Sequence, residues 1–259
     1  MAPPQFVSRV TLRRDATRRD ATRRDTIESF ERYPFSLPAI RKLDRLDFNS
    51  RVTYFVVENG SGKSTLLEAI AVSLGFNAEG GSKNFRFGTR ASHSDLQKHI
   101  RVAKGVKRPR DGFFLRAESF FNVATEIEHL DAEPASGPPI VDSYGGKSLH
   151  EQSHGESFLA LLVERFRGSG IYILDEPEAA LSPQRQLAVL SRMHDLVLDG
   201  SQFIVATHSP NLMAYPGACI LQCSVDGVVP IEYEETEHFR VTRDFLVNRN
   251  RILQMLLER

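Results

Sequence analysis

The chain predicts an α/β fold, with a mainly parallel sheet flanked by helices. Three observations carry that expectation. Strand-length apolar runs alternate with helix-length segments through the second half of the chain. Ile171 to Leu174 is wholly apolar, as a strand covered on both faces must be, and Gln202 to Thr207 reads as the next buried strand. Val52 to Val57 forms a third run. It leads through Gly60-Ser61-Gly62-Lys63-Ser64-Thr65 into a helical stretch, Leu66 to Leu74, that Gly75 should stop.

Taken in order, the elements begin after a low-complexity start. Arg13 to Thr26 repeats Arg-Arg-Asp-Ala-Thr with a five-residue period that matches neither helix nor strand. The unit has no large apolar residue, so residues 1–26 are expected to be a disordered tail. A basic nucleic-acid arm or a transit peptide fits poorly, because every unit carries an Asp. A single domain is expected over 27–259. Strands should cover Ile40 to Leu46 and Val52 to Val57. The polar, basic stretch 82–112 reads as surface or loop, and Gly112 to Glu118 as a strand. Ala132 to Gly146, rich in Pro and Gly, reads as a flexible connection. Together, residues 79–150 form an expected lobe insertion. Ser153 and Glu156 make a capping box opening a helix through Phe158, Leu161, Leu162 and Phe166. Ser182-Pro183 opens another through Leu187, Leu190 and Met193. Thr236 to Arg259 reads as helical.

Composition narrows the class. The 259 residues can bury one sizeable core, and 33 basic against 33 acidic residues leave no net charge to demand a polyanionic partner. No apolar run is long enough for a membrane span and no signal-type segment follows Met1, so the expectation is a cytoplasmic protein without membrane insertion. Cys219 and Cys223 should share one face of a strand roughly 13 Å apart, too far for a disulfide. They read as buried free thiols.

The glycine loop carries the sharpest chemistry. Strand, glycine-rich turn, Lys-Ser/Thr and helix form a phosphate cradle. Glycines let the backbone close on a phosphate, and the helix N-terminus faces the anion. The cradle spans Glu58, Asn59, Gly60, Ser61, Gly62, Lys63, Ser64 and Thr65. Lys63 can reach β- and γ-phosphates, and Ser64 can ligate Mg²⁺. The full pattern places a glycine at position 57, where this chain has Val57.

Three further pieces lie downstream of that loop. The strand Ile171 to Leu174 ends in Asp175-Glu176, suited to hold Mg²⁺ and to activate water. Ser153-His154-Gly155-Glu156-Ser157 is a helix start with an internal glycine. Ala206-Thr207-His208-Ser209-Pro210 puts His208 at the carboxyl end of a strand, where ligands of such sheets bind. His150 and His154 have metal-like spacing, but a helix start between them removes the need to share a face, and zinc is set aside.

From about Tyr33 to the C-terminus, the chain resembles ABC-type ATPases of the AAA superfamily. The branch it is most similar to is the small soluble one, related to the heads of chromosome-maintenance and recombination-repair ATPases. The stretches that carry this are ENGSGKSTLLEAIA, NFRF, DGFFLRAESFFN, SYGGKSLHEQSHGES, LDEPEAALSPQRQ and ATHSP. The resemblance implies a P-loop NTPase with an ABC-type core, a small β subdomain and a helical or irregular lobe. It also implies ATP and Mg²⁺ as cofactors. Lys63 and Ser64 would hold phosphate and metal, Asp175 would support the Mg²⁺ shell, and Glu176 would polarise the attacking water. His208 would sense the γ-phosphate. Ser153 and Gly155 would contact the nucleotide of a second copy in an ATP-dependent homodimer. Ala180-Leu181-Ser182 falls where a dimer-crossing loop lies, and Tyr33 or the equally placed Phe35 where an aromatic would stack on adenine. No glutamine stands after the strand Phe113 to Arg116, and Glu118 is the substitute candidate.

The expected function is therefore Mg-dependent ATP hydrolysis coupled to head dimerisation. The resemblance suggests service to a DNA transaction or defence process, with DNA or an unidentified effector protein as partner. An ATPase subunit of a transporter is the first alternative, disfavoured by SHGES in place of an LSGGQ-type signature. A non-hydrolysing nucleotide switch is the second, motivated by Val57.

Overall fold

The computed structural model describes residues 5–14, 27, 29–56, 60–85, 94–133, 137–224 and 227–258. In chain order the elements are β1 (Val7–Leu12), α1 (Pro38–Arg41), β2 (Arg45–Asp47), β3 (Val52–Val56), α2 (Lys63–Ser73), α3 (Leu96–His99) and β4 (Ile100–Lys104). Then come β5 (Asp111–Arg116), α4 (Phe120–Ala132), α5 (His154–Ala160), β6 (Gly170–Asp175), α6 (Pro183–Leu198) and β7 (Gln202–Ala206). The chain closes with α7 (Pro210–Met213), β8 (Cys219–Ser224), β9 (Gly227–Pro230), α8 (Glu237–Val247) and α9 (Arg249–Leu257).

Six strands form one sheet in the order β5-β6-β7-β3-β8-β9. All neighbours are parallel except β8 and β9, which pair antiparallel. β6 shows why an unbroken apolar run was needed. Ile171 and Ile173 face one core with α2 and the small sheet, whereas Tyr172 and Leu174 face a second core with α4, α5 and α6. Side chains alternate across a strand, so covering both faces demands apolar residues at every position. Each such side chain contributes about 1.5–3 kcal/mol on burial.

The second sheet, β2-β1-β4, is antiparallel and corrects the expected N-terminal tail. β1 lies inside residues 1–26, with Val7, Val10 and Leu12 buried. Its start is bound to the main sheet by the buried Gln202 side chain. Phe6 and Val7 N–H groups donate to Gln202 Oε1, both at 2.9 Å, and Gln202 Nε2 donates to the Val7 carbonyl at 2.9 Å. The domain thus includes residues well before 27. Most of the pentapeptide repeat lies outside the described residues.

Other expectations shift as well. Ile40 is helical rather than in a strand, because Pro38 at the first helical position starts α1 and only Arg45–Asp47 extends. The segment 79–150 is not one insertion. β4 joins the small sheet, β5 joins the main sheet, and the helical lobe begins only after Arg116. Within that lobe Ile140–Tyr144 is a helical turn. Asp131 accepts from the Ile140 and Val141 N–H groups at 2.5 and 2.9 Å, and Tyr144 is buried. The start of α5 falls as expected, but its end widens into a π-type turn over Leu161–Arg165, closed by the Phe166 N–H donating to the Leu161 carbonyl at 3.2 Å. Cys219 and Cys223 lie on β8 as free thiols, and burial pushes Cys223 up to about 12.

Candidate functional site

The parallel sheet brings three expected pieces to one end. β3 leads toward the glycine loop, and the carboxyl ends of β6 and β7 lie beside it. Gly62 caps α2 with φ of +100°, a left-handed conformation that favours glycine. A Cβ there would also sit 2.8 Å from the Cβ of Leu37, whose neighbour Ala39 donates its N–H to the Ser61 carbonyl at 2.9 Å. The start of α1 and its cap residue Leu37 therefore back the loop. Gly60 is also left-handed, with φ of +83°. The Ser61 hydroxyl is buried without a hydrogen-bond partner among the described residues. Val57, Glu58 and Asn59 lie outside the described residues. Thr65 sits half-buried in the first turn of α2.

Lys63 is buried, and its ammonium is the hub of the site. Nζ lies 2.7 Å from Glu176 Oε1 and contacts His208 Nε2. His208 Nε2 is in turn 3.5 Å from the same Glu176 oxygen. The hydrogen bond from Lys63 holds the Glu176 carboxyl below the usual range, against a burial effect of opposite sign. Glu176 has φ of +55°, rare for a residue with a Cβ, and its N–H donates to the Ala206 carbonyl at 2.9 Å. That bond locks the turn after β6 onto the end of β7.

Ser64 Oγ donates to Asp175 Oδ1 at 3.1 Å. Asp175 is 4% exposed, and burial pushes its carboxyl up to about 6. Arg116, opposite Asp175 on β5, opposes that rise by its charge. A hydroxyl and a buried carboxylate are hard oxygen donors, suited to Mg²⁺ that completes its shell with waters and phosphate oxygens. Among the described residues, no group of three His, Cys, Asp or Glu is placed to hold a metal by itself.

Ser153 and Gly155 belong to a different cluster. The Ser153 N–H and hydroxyl donate to Glu156 Oε2 at 3.0 and 2.6 Å. Gly155 lets α5 approach the turn after β6, because a Cβ would stand 2.7 Å from the Ala180 carbonyl and collide with the Arg185 guanidinium. Arg185 lies 3.6 Å from Glu156. Ala180, Leu181 and Ser182 thus connect the signature stretch to the carboxylate strand, with Ser182 capping α6. Phe35 is core, packed edge-on to Phe30 and His99, which removes it as an adenine platform. Tyr33 is 62% exposed. Glu118 is ion-paired with Arg116, which also pairs with Glu68 at 2.8 Å.

Three participants were not anticipated. Glu178 accepts from the His208 N–H at 2.5 Å and from the Thr207 hydroxyl at 2.8 Å, fixing the strand end that carries His208. Its place two residues after Glu176 was the available signal. Arg116 ends β5 beside Asp175. His238, on α8, lies 2.9 Å from His208 Nδ1. Nothing local in the sequence around His238 marked it.

Comparisons with known proteins show the family of the chain. A model described as “AAA domain” matches residues 26–124. One described as “AAA domain, putative AbiEii toxin, Type IV TA system” matches residues 142–214. The hemin import ATP-binding protein HmuV of Nocardia farcinica is 30% identical over 195 residues, covering 71% of this chain and 68% of that protein. The cytochrome c biogenesis ATP-binding export protein CcmA of Rhodopseudomonas palustris is 30% identical over 164 residues, 60% of this chain and 76% of that one. Among solved structures, the SMC head domain from Thermotoga maritima is similar with a TM-score of 0.43, 15% identity, and coverage of 88% and 100%. The chain belongs to the ABC-type ATPases of the AAA superfamily, a family of ATP-binding P-loop domains.

Proposed function

We propose that this chain hydrolyses ATP with Mg²⁺ and that two copies close on the nucleotide as a homodimer. The observation that carries the reading is the joint contact of Lys63 with Glu176 and His208, next to the Ser64–Asp175 pair. Without nucleotide, the Lys63 ammonium neutralises the carboxylate of its own site. A bound phosphate chain takes over Lys63, which frees Glu176 to accept a proton from water and His208 to meet the γ-phosphate. Ser64 and Asp175 would hold Mg²⁺, which supplies charge neutralisation at the phosphates. Ser153 and Gly155 would bind the nucleotide of the second copy.

The process served, in this reading, is a cytoplasmic defence or DNA transaction through an effector partner. The toxin–antitoxin description of the model over residues 142–214 supports the defence side. A second reading, a transporter ATP-binding subunit, draws on the import and export proteins to which the chain is similar. Among the described residues no helix is long and apolar enough to cross a membrane, so that reading requires a separate membrane partner. The test is size-exclusion chromatography and pull-down with Glu176→Gln held in Mg-ATP. We expect a dimer that captures a non-membrane effector. Monomer alone would contradict the dimer, and capture of a permease would favour the second reading.

A further inference from the structure

His208 has two ring nitrogens and both are engaged. Nε2 faces the Lys63 ammonium and the Glu176 carboxylate. Nδ1 lies 2.9 Å from Nε2 of His238, with the two rings 5.1 Å apart between centroids. An ammonium has donors and no acceptor, so His208 Nε2 must accept from Lys63. The His208 proton then sits on Nδ1 and donates to His238 Nε2, whose own proton is on Nδ1. A γ-phosphate reverses the demand. Its oxygens accept, so His208 must present Nε2–H, leave Nδ1 as acceptor, and receive a hydrogen bond from His238 Nε2–H.

We propose that His238 is a positioning residue that sets the tautomer and ring orientation of His208 through this Nδ1–Nε2 hydrogen bond. The proposal rests on the reading of His208 as the γ-phosphate sensor. His238 can serve either polarity because a neutral imidazole both donates and accepts. Burial draws its pKa below the ordinary value. Its backbone is fixed by the first turn of α8. Buried Thr236 caps that turn by accepting from the Phe239 N–H at 3.4 Å and donates its own hydroxyl to the Tyr233 carbonyl at 2.7 Å. The ring of Phe239 packs on Tyr233, 4.7 Å between centroids. α8 therefore delivers the imidazole to one place. Glutamine at 238 could reproduce the bond, since its amide carries both a donor and an acceptor, whereas alanine could not.

The test is nitrogen-detected NMR of histidine-labelled full-length protein, joined to steady-state kinetics. In the nucleotide-free wild type we expect His208 as the Nδ1–H tautomer. A non-hydrolysable ATP analogue should move it to Nε2–H. His238→Ala should leave a mixture in the free protein and lower kcat roughly three- to tenfold, the weight of one neutral hydrogen bond, with KM for ATP within about twofold. His238→Gln should restore most of the rate. A free wild type with His208 as Nε2–H overturns the proposal, as does His238→Ala with unchanged His208 signals or unchanged kcat. If His238→Ala does not fold, the wild-type and His238→Gln spectra decide. If the wild type hydrolyses no ATP, the proposed activity fails, and the tautomer of the nucleotide-free protein still decides the role of His238.

Discussion

In the proposed function the first turns of α2 and α5 both meet phosphate, yet they are built differently. α2 begins at a left-handed glycine with no side-chain cap, so its N–H groups stay open to an anion. α5 begins at Ser153, whose hydroxyl and N–H are both committed to the Glu156 carboxylate. The same hydrogen bonds hold that carboxyl below the usual range, so it stays charged where a phosphate would arrive. Arg185 offsets part of this charge from 3.6 Å. One helix end is thus ready to bind within its own chain. At the other, the Ser153 hydroxyl and N–H already hold the Glu156 carboxylate, which an arriving anion must displace. The contrast implies an order, with nucleotide on Lys63 and Ser64 first and docking of the second copy afterwards.

The largest expected effects lie on the α2 side. Lys63→Ala should weaken ATP binding by roughly a hundredfold or more, since it removes the charge-assisted donor to the phosphates. Glu176→Gln should leave binding intact and reduce phosphate release by about two decades, the scale of a lost general base. Calorimetry beside a phosphate-release assay separates the two, and equal loss of binding in both variants would erase the division of roles.

Next comes the scaffold beneath the α5 side. Asp111 pairs with Arg165 at 2.8 Å and accepts from Tyr172 at 2.8 Å and from the Arg167 N–H at 3.1 Å. Burial raises the Asp111 carboxyl, but the Arg165 charge and these hydrogen bonds outweigh it and hold it below the ordinary value. A depressed carboxyl stabilises the fold above its unfolded pKa, and that contribution is lost as pH falls through the folded pKa. Asp111→Asn should therefore cost roughly 2–4 kcal/mol at pH 7, because it leaves Arg165 without its buried partner. The difference from wild type should shrink toward pH 3, as read by urea unfolding at both values. A cost independent of pH would show that packing rather than charge anchors this side.

Gly155→Ala sharpens the comparison more selectively. The added methyl presses on the Ala180 carbonyl and Arg185, an overpacking cost of about 1–3 kcal/mol. It should abolish ATP-dependent dimerisation in a Glu176→Gln background while the monomer still binds ATP. Loss of ATP binding by the monomer would mean that the two helix ends are not independent. The smallest change is expected for Val57→Gly. Restoring glycine should tighten ATP up to about tenfold, the cost of crowding or strain near 1.4 kcal/mol. No gain in affinity or rate would mean that valine is tolerated without cost.

Much of the α2 side was legible because its signals are local. Gly60 to Thr65, the apolar run into Asp175-Glu176, and His208 at a strand end each carry their chemistry within a few residues. The helix stop at Gly75 was equally local. Its N–H bonds to the Val72 carbonyl and the Phe76 N–H to the Ala71 carbonyl, a closing pattern that a left-handed glycine permits. β1 was not legible. Its partners begin at Arg45 and Ile100, its tie to the main sheet is Gln202, and the adjoining Arg-Asp repeat masked its apolar residues. Glu178 and His238 were missed for the same reason. Glu178, in the turn after β6, and His238, on α8, reach His208 only through the tertiary fold, and no periodicity encodes such a contact.

The central claim is that the two helix ends complete each other between copies. It is tested most directly by mixing Lys63→Ala with Gly155→Ala, each inactive alone. In a mixed dimer, the intact glycine loop of one chain meets the intact signature helix of the other, which rebuilds one of the two sites. Because neither variant pairs with itself on ATP, only mixed dimers form, each with one of its two composite sites intact, and ATP hydrolysis should recover to at most about half of the wild-type rate. A mixture that hydrolyses no faster than the sum of its two components would contradict the account.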